Sequence, residues 1–243
     1  MAASGTRRGW TSLRAVAVDA ALAAPLAALL ARSWQVDGPT LALPAALALA
    51  LAAVRAGRAR RRSLDALAAE RARALTDHLT GAANRRALDE ALARAVARAR
   101  RGDAGAALVV FDVDHFKRIN EEHGWEGGDD VLRGLVERVR GTLRRSDLLA
   151  RRGGEEFAIV ASGVAGEAAL RRTAAKVHAI VRAGSFPARG RRAAVTVSVG
   201  AVLLDGSLDA AEAESRANRA LAAAKRRRDC VVVWEERARR AAA

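Results

Sequence analysis

The chain has 243 residues, a formal net charge of +15 and a single cysteine, Cys230. This length accommodates one domain with an appendage, and one cysteine excludes an intrachain disulfide and a cysteine-rich zinc module. The four histidines show no metal-ligand spacing and aromatic residues make up only 3% of the chain, so we expect neither a zinc site nor a nucleic-acid partner.

The first 62 residues combine two apolar segments with a high density of arginine. The segments, 13–31 and 40–54, are slightly shorter than the roughly 20 residues of a membrane-spanning helix, and nine arginines accompany only two aspartates in this region. Arginines precede the first segment and follow the second. The positive-inside rule therefore predicts a two-helix transmembrane hairpin with both ends in the cytoplasm, as in a bacterial-type inner membrane. The alternative is a cleaved signal peptide followed by a loose apolar segment.

Residues 63–76 are expected to form a short helical stalk between this membrane anchor and the remainder of the chain. Ser63 can cap the helix, and Leu64, Leu67 and Leu75 form a sparse apolar stripe. About two heptads are too few to predict a coiled coil, so a dimerising role for the stalk stays open.

From residue 77 to residue 243 the pattern alternates between helices and strands. Asn84 can cap a helix with apolar residues at helical spacing, and a second amphipathic helix follows the first strand. The sequence Gly-Gly-Glu-Glu at 153–156 separates two strand-like segments, as in a β-hairpin. The expected strands are 106–111, 148–152, 157–161, 195–199 and 231–234. Together these elements predict an α+β domain in which helices flank a mixed, mostly antiparallel sheet.

Two segments bring carboxylates to a strand end and to a tight turn. Asp112 and Asp114 are two residues apart and share a face of their strand, while Glu155 follows two glycines that let backbone approach a phosphate or metal closely. If the hairpin lies beside the first strand, Asp112, the Val113 carbonyl and Glu155 converge on one hard cation, which suits Mg²⁺. Two such ions support in-line attack on phosphorus. The alternative is that these acidic residues only cap strands and turns.

Six groups of residues, in the same order along the chain, resemble the motifs of the GGDEF domain of diguanylate cyclases, in its GGEEF form. The resemblance extends from about residue 72 to about residue 236. It implies a palm-like sheet of about five strands and an enzyme that condenses two GTP into cyclic di-GMP and two pyrophosphates. It also implies a homodimer in which each domain presents one GTP to the other. The six groups are Asp77-His78-Leu79-Thr80-Gly81, Asn84-Arg85-Arg86, Phe111-Asp112-Val113-Asp114-His115-Phe116-Lys117-Arg118-Ile119-Asn120, Gly128-Asp129, Arg151-Arg152-Gly153-Gly154-Glu155-Glu156-Phe157 and Val195-Thr196-Val197-Ser198-Val199-Gly200.

The resemblance implies metal-binding and catalytic roles in the first strand and in the turn. Two Mg²⁺ ions, with Mn²⁺ as the alternative, are expected on Asp112, the Val113 carbonyl and Glu155. Either Glu155 or Glu156 takes the proton from the substrate 3′-hydroxyl group, and the sequence leaves that choice open. Lys117 completes the expected catalytic set through contact with phosphate.

The same resemblance implies a set of substrate contacts. Asn120 and Asp129 match the pair that reads guanine, because an amide can serve the O6/N7 edge and a carboxylate can accept from both N1–H and the exocyclic amine. That carboxylate favours GTP over ATP. Lysine suits phosphate contacts as a point charge. The other expected substrate contacts come from Phe116, Trp125, Gly153, Gly154, Lys225 and Arg228.

Arg144 and Asp147 match the inhibitory RxxD site of the family, which has the same place ahead of the signature turn. An arginine and an aspartate suit the phosphates and guanine edges of cyclic di-GMP. We therefore expect cyclic di-GMP to act as an inhibitor as well as the product.

The chain departs from the family pattern at several positions. Trp125 stands where the family usually has His, in the loop that lines the guanine site. The family's Ala-Asp, Leu-Tyr, Ala-Lys and Gly-Arg-Asn are met here by Ala217-Asn218, Leu221-Ala222, Ala224-Lys225 and Arg227-Arg228-Asp229. A second hypothesis therefore stays open, in which the domain is a catalytically inactive receptor for cyclic di-GMP or GTP.

Overall fold

The structure, a computed structural model, describes residues 28, 42–103 and 105–235. The chain divides into two compact units, Met1–Arg71 and Ala72–Ala243. The described elements are, in chain order, α1 (Ala42–Ala74), α2 (Arg85–Arg100), β1 (Ala106–Val113), α3 (Phe116–Arg140), β2 (Leu148–Gly153), β3 (Glu156–Ser162), α4 (Gly166–Arg182), β4 (Phe186–Ala188), β5 (Arg191–Ala193), β6 (Val197–Leu204), α5 (Ala210–Arg227) and β7 (Val231–Val233).

The helix α1 contains most of the second apolar segment and most of the expected stalk. Apart from residue 28, the first apolar segment, 13–31, lies outside the described residues. Within the part of the chain that is described, no helix is both long and apolar enough to cross a membrane. Among the side chains of α1 that the structure describes, the large apolar ones that are exposed are Leu47, Leu51, Val54 and Leu64.

The second unit is built on a five-stranded sheet with the strand order β2-β3-β1-β6-β7. In this sheet the pairs β2–β3, β3–β1 and β1–β6 are antiparallel, and the pair β6–β7 is parallel. This confirms the expected mixed, mostly antiparallel sheet of about five strands with flanking helices. The strand β6 begins at Val197, two residues later than expected, and continues to Leu204. A small second sheet, the hairpin β4–β5, was not predicted.

Helices cover both faces of the sheet, which is why every residue of β1 is buried. The odd-numbered positions of β1, such as Val109 and Phe111, pack in one core with apolar residues of α3 and α4. The even-numbered positions, such as Leu108 and Val110, pack in a second core with α2 and α5. Because side chains alternate along a strand, Asp112 continues the even-numbered set toward α5.

An aromatic pair fixes the register at the end of β1 where the carboxylates lie. Phe111 is paired with Phe157 of β3, and their rings stack with centroids 5.4 Å apart. The next pair in the same register is Asp112 with Glu156. Cross-strand pairing of large side chains stabilises one register over a slipped one, so this stack sets the position of Glu156 relative to Asp112.

Candidate active site

The centre of the site is an ion pair between the end of β1 and the last turn of α5. Asp112 is only 6% exposed, and its Oδ2 lies 2.7 Å from Lys225 Nζ. The pKa of Asp112 is raised to about 6: burial is the largest cause, Lys225 lowers the pKa, and the charges of Glu155 and Glu156 raise it. Burial opposes the charge of Lys225, but the hydrogen bond and charge of Asp112 leave the Lys225 pKa raised overall. The site therefore concentrates negative charge that needs a cation.

The signature turn, residues 153–156, lies beside this end of β1, and hydrogen bonds from Val113 and Arg151 hold it in place. The Val113 N–H group donates to the Glu155 carbonyl over 3.4 Å, which brings the turn against β1. Gly153 and Gly154 have φ angles of 150° and 52°, so both use backbone conformations that favour glycine. Arg151 Nε donates to the Gly154 carbonyl over 2.8 Å.

Asp77 explains the first of the six motifs, whose role could not be predicted from the sequence. Arg151 Nη1 lies 3.2 Å from Asp77 Oδ1, and the Thr80 N–H and hydroxyl groups also donate to that oxygen. Burial alone would raise the pKa of Asp77, but these hydrogen bonds and the Arg151 charge lower it overall. Asp77 therefore anchors Arg151, which in turn holds the signature turn.

The donor set at this strand end fits a magnesium ion. Asp112 and Glu155 supply carboxylates and Val113 a carbonyl, which are hard oxygen ligands. Among the described residues there is no group of three or more His, Cys, Asp or Glu side chains that could hold a metal. A site with two carboxylates suits Mg²⁺, since that ion keeps several waters and takes further ligands from substrate phosphates.

Asp114 shares a face with Asp112 but has a structural role. Its carboxylate accepts hydrogen bonds from Thr196 Oγ1 at 2.8 Å, Ser198 Oγ at 2.6 Å and the Asp229 N–H group at 2.9 Å. Charge-assisted bonds of this kind satisfy a buried carboxylate and fix the segments that donate them. Asp114 therefore ties the end of β1 to the start of β6 and to the residues after α5.

A cleft of about 630 Å³ lies next to the turn, between it and α3. Asn120 lines the cleft, and within the described part of the chain its Oδ1 atom is buried without a hydrogen-bond partner. A Cβ atom at Gly128 would overlap this oxygen, so the glycine is what allows α3 to bring the amide so close. Of the expected site residues, the cleft is lined by Phe116, Lys117, Asn120, Trp125, Asp129, Gly154 and Glu155.

A break in α3 lies just ahead of Trp125 and Asp129, which both line the cleft. Gly124 has φ 75° and ψ 168°, which interrupts the helix ahead of Trp125. Trp125 is 81% exposed, and Asp129 lies in the following turns. The side chain of Lys117 is 90% exposed and lies 3.7 Å from Glu121. These side chains are accessible to a ligand that enters the cleft.

Arg228 and Asp229 follow α5 with strained backbone angles. Arg228 has φ 58° and ψ 166°, and its side chain is exposed. Asp229 has φ 46°, and its carboxylate lies 2.8 Å from His178 Nε2 and 3.3 Å from Arg182 Nε. Of the two cations expected from this segment, the structure brings Lys225 against Asp112 and describes no comparable contact for Arg228.

The expected inhibitory residues line a separate pocket of about 300 Å³. Asp147 stabilises its own turn, because its carboxylate accepts from the Arg144 and Ser162 N–H groups at 2.9 and 3.0 Å. Arg172 and Lys176 of α4 line the same pocket. Neither cation was predicted as part of this site, although a spacing of four residues places two cations on one face of a helix.

The comparisons with known proteins agree with this geometry. A family model described as "Diguanylate cyclase, GGDEF domain" matches residues 74–229. The chain is 39% identical over 157 residues to the diguanylate cyclase DgcP of Pseudomonas aeruginosa, covering 65% of this chain and 23% of that protein. It is 32% identical over 152 residues to the diguanylate cyclase DgcS of Shewanella oneidensis, covering 63% of this chain and 50% of that protein. The matched region thus spans half or less of the length of these curated relatives.

Solved structures give the same result for the second unit. The GGDEF domain of DgcB from Caulobacter crescentus, solved in complex with c-di-GMP, is 33% identical with a TM-score of 0.62, covering 67% of this chain and 94% of that one. The diguanylate cyclase SiaD from Pseudomonas aeruginosa, solved with its activator SiaC, is 27% identical with a TM-score of 0.66 and covers 93% of this chain and 87% of that one. The chain belongs to the GGDEF-domain diguanylate cyclase family.

Proposed function

We propose that this protein is an active diguanylate cyclase with a GGEEF signature, which condenses two GTP into cyclic di-GMP and releases two pyrophosphates. The observation that carries the proposal is the proximity of Asp112, Glu155 and Glu156 at one strand end, next to a cleft that Asn120 and Asp129 line. A domain that only binds nucleotide needs no such concentration of carboxylates, which is costly unless a cation offsets it.

The reaction needs a metal and a set of charged groups around the triphosphate. Mg²⁺, or Mn²⁺, held by Asp112, the Val113 carbonyl and Glu155 supplies Lewis acidity toward the attacking and leaving oxygens. Glu155 or Glu156 accepts the proton of the 3′-hydroxyl group. With a divalent ion bound, Asp112 would no longer need Lys225 as its counter-charge, and Lys225 would be available to the substrate phosphates.

The cleft is proposed to bind the guanine base. Asn120 lines the cleft, where its amide can serve the O6/N7 edge of guanine, and the Asp129 carboxylate is an acceptor. Guanine offers donors at N1–H and at its exocyclic amine, whereas adenine lacks this paired donor edge. The exposed Trp125 indole offers a surface on which a base can stack. Lys117 contacts the phosphates, and Phe116, Gly153, Gly154 and Arg228 complete the proposed contacts.

Catalysis is proposed to take place between two copies of the chain. Cyclic di-GMP contains two GMP units, and each domain has one cleft of about 630 Å³ in which a single nucleotide fits. Each domain must therefore present its GTP to the 3′-hydroxyl group of the other. A homodimer satisfies this requirement with two equivalent sites.

Product inhibition is proposed for the pocket that contains Arg144 and Asp147. Arg172 and Lys176 add positive charge to that pocket, which suits a ligand with two phosphates. The related DgcB domain was solved in complex with c-di-GMP. Arg144→Ala is expected to raise the product concentration needed for half inhibition while the initial rate stays close to that of the wild type.

A product assay on the purified full chain tests the proposed activity. With GTP and Mg²⁺, the wild type is expected to release cyclic di-GMP and pyrophosphate, and Glu155→Ala is expected to release neither. Glu137→Ala, a change at an exposed glutamate of α3, is the matched control and should behave as the wild type. GTP binding without product at high protein concentration, with either Mg²⁺ or Mn²⁺, would instead support the receptor hypothesis.

Membrane attachment through segments 13–31 and 40–54 is a further part of the proposal, with the catalytic domain in the cytoplasm. It is supported by the apolar sequence, by the flanking arginines and by the exposed Leu47, Leu51 and Val54 of α1. Fractionation of cells that express the full chain should place it in the membrane pellet after a high-salt wash. Recovery of the full chain in the supernatant would contradict this proposal.

A further inference from the structure

Arg152 directly precedes the signature turn, and its long charged side chain is unusually buried. Only 10% of the side chain is exposed. Its Nη1 atom donates to Asn218 Oδ1 of α5 over 2.8 Å and lies 3.6 Å from Glu156 Oε2. Arg152 therefore connects α5 to a carboxylate of the proposed active site.

The Glu156 carboxylate lies between two cations. Its Oε1 atom is 3.8 Å from Lys225 Nζ, and its Oε2 atom is 3.6 Å from Arg152 Nη1. Lys225 is closer to Asp112, at 2.7 Å, and in the proposed reaction it is needed at the substrate phosphates. Arg152 is then the cation that stays beside Glu156 throughout the reaction.

Burying the Arg152 side chain costs free energy. Its Nε atom is buried and has no hydrogen-bond partner in the described part of the chain. An unsatisfied buried donor costs about 1–3 kcal/mol, and more when it is charged. Proteins tolerate such unfavourable groups mainly at functional sites, which indicates that the charge of Arg152 has a functional role.

Asn218 explains how the guanidinium group stays directed at Glu156. A neutral amide oxygen holds Nη1 without competing for its charge. An aspartate at this position would form a charge-assisted bond about twice as strong as a neutral one and would draw the guanidinium away from Glu156. The asparagine that departs from the family pattern is thus matched to the arginine at position 152.

We propose that Arg152, held by Asn218, is a positioning residue that keeps the Glu156 carboxylate in place beside Asp112 while Lys225 serves the substrate. This inference rests on the proposed cyclase activity. Arg152 contacts neither substrate nor metal in this assignment; it acts through Glu156.

The test compares Arg152→Met, Arg152→Lys and Asn218→Asp in the full chain. Arg152→Met keeps the length of the side chain and removes its charge, so we expect kcat to fall about tenfold while KM for GTP changes less than about twofold. Arg152→Lys should recover part of kcat. Asn218→Asp should lower kcat as well, although it leaves Arg152 and Glu156 unchanged. Arg94→Met, at an exposed ion pair of α2, is the charge control.

Mn²⁺ binding, measured without nucleotide, separates positioning from a purely structural role. Loss of a cation near three carboxylates should leave Mn²⁺ affinity equal or higher in Arg152→Met. An unchanged kcat in Arg152→Met would overturn the inference. A joint loss of kcat, Mn²⁺ binding and GTP binding would also overturn it, because it would show that Arg152 only holds the hairpin together. If the wild type and Arg94→Met are both inactive, the proposed function fails, and this inference fails with it.

Discussion

Lys225 Nζ lies 2.7 Å from Asp112 Oδ2, so a side chain from the last turn of α5 neutralises the carboxylate at the end of β1. Lys225 thereby balances part of the charge that Asp112, Glu155 and Glu156 concentrate there. The pair also shows why a buried carboxylate is tolerated at this point of the sheet, since an unpaired charge would be far more costly.

The raised pKa of Asp112 predicts that this residue destabilises the metal-free domain. Its pKa is 3.8 in the reference state and about 6 in the folded protein. Between these values the folded state binds more protons, so stability falls as the pH rises through the window, and the full cost is present above it. Asp112→Asn is therefore expected to raise the free energy of unfolding at pH 7.5 in EDTA by about 1–3 kcal/mol. Denaturant titrations at pH 7.5 and pH 3.5 check this.

The gain should be much smaller at pH 3.5, because Asp112 is then mostly protonated in both states of the wild type. Asp103→Asn, at an exposed aspartate beside Arg101, is the control and should change little at either pH. A lower stability of Asp112→Asn at pH 7.5 would contradict the assigned direction of the pKa shift.

The ionisation of Asp112 predicts how the stabilisation of the domain by Mg²⁺ depends on pH. Metal ligands must be deprotonated, so Mg²⁺ should raise Tm clearly at pH 7.5, where Asp112 is ionised, and progressively less as the pH falls through about 6. Glu155→Ala should lose the effect across the whole range. Thermal unfolding with and without Mg²⁺ at constant ionic strength measures it. Equal protection at pH 5 and pH 7.5 would show that Asp112 is not a ligand.

The carboxylate site could be predicted from sequence because its determinants are local. Alternation along β1 fixes the face of Asp112, and a glycine-rich turn between two strand-like segments predicts the hairpin that carries Glu155. The contact of Arg152 with Asn218 joins residues 66 positions apart, so neither spacing nor composition indicates it. It becomes visible only when α5 packs on the sheet.

Other parts of the fold were hard to predict because their sequence patterns are weak. The buried face of α5 consists mostly of alanine, for example Ala213, Ala217 and Ala224, so its apolar periodicity lacks large side chains. The hairpin β4–β5 contains Pro187, a residue that is unusual in strands, and each of its strands has only three residues. The start of β6 was placed two residues too early because Val195 and Thr196 continue the alternating pattern of the strand, and the Thr196 carbonyl still accepts from the Asp114 N–H group over 2.9 Å.

Gly128→Ala tests the cleft without changing any polar group. A methyl group at this position would overlap Asn120 Oδ1 and lie 3.1 Å from the Phe116 ring, so the amide must move. We expect KM for GTP to rise at least about tenfold and stability to fall by about 1–3 kcal/mol, as for other overpacked sites. Gly141→Ala, which meets only ordinary contacts at 3.6 Å, is the control for glycine replacement in α3's final turn. An unchanged KM would show that Asn120 does not contribute to base binding.

Trp125 predicts a change in KM without a change in stability. Its side chain is 81% exposed, so truncation removes little packing. Stacking of a base on an aromatic side chain contributes about 1–3 kcal/mol, so Trp125→Ala should raise KM for GTP about fivefold or more, with Tm unchanged. Trp125→Phe should keep most of the affinity. If Trp125→Ala lowers KM, the indole obstructs the cleft and does not bind the base.

Arg228 predicts that a change at the edge of the active site will stabilise the protein. Its φ of 58° and ψ of 166° lie in a region that is used almost only by glycine and costs other residues about 1–3 kcal/mol. Arg228→Gly should relieve that strain, and the gain should exceed the entropy lost with glycine, for a net increase of about 1 kcal/mol in the free energy of unfolding. Arg226→Gly, two residues earlier within α5, should instead destabilise the domain by a similar amount, because glycine is unfavourable inside a helix. Denaturant titrations of both variants measure this contrast, and a loss of stability in Arg228→Gly would show that the side chain contributes more than its backbone strain costs.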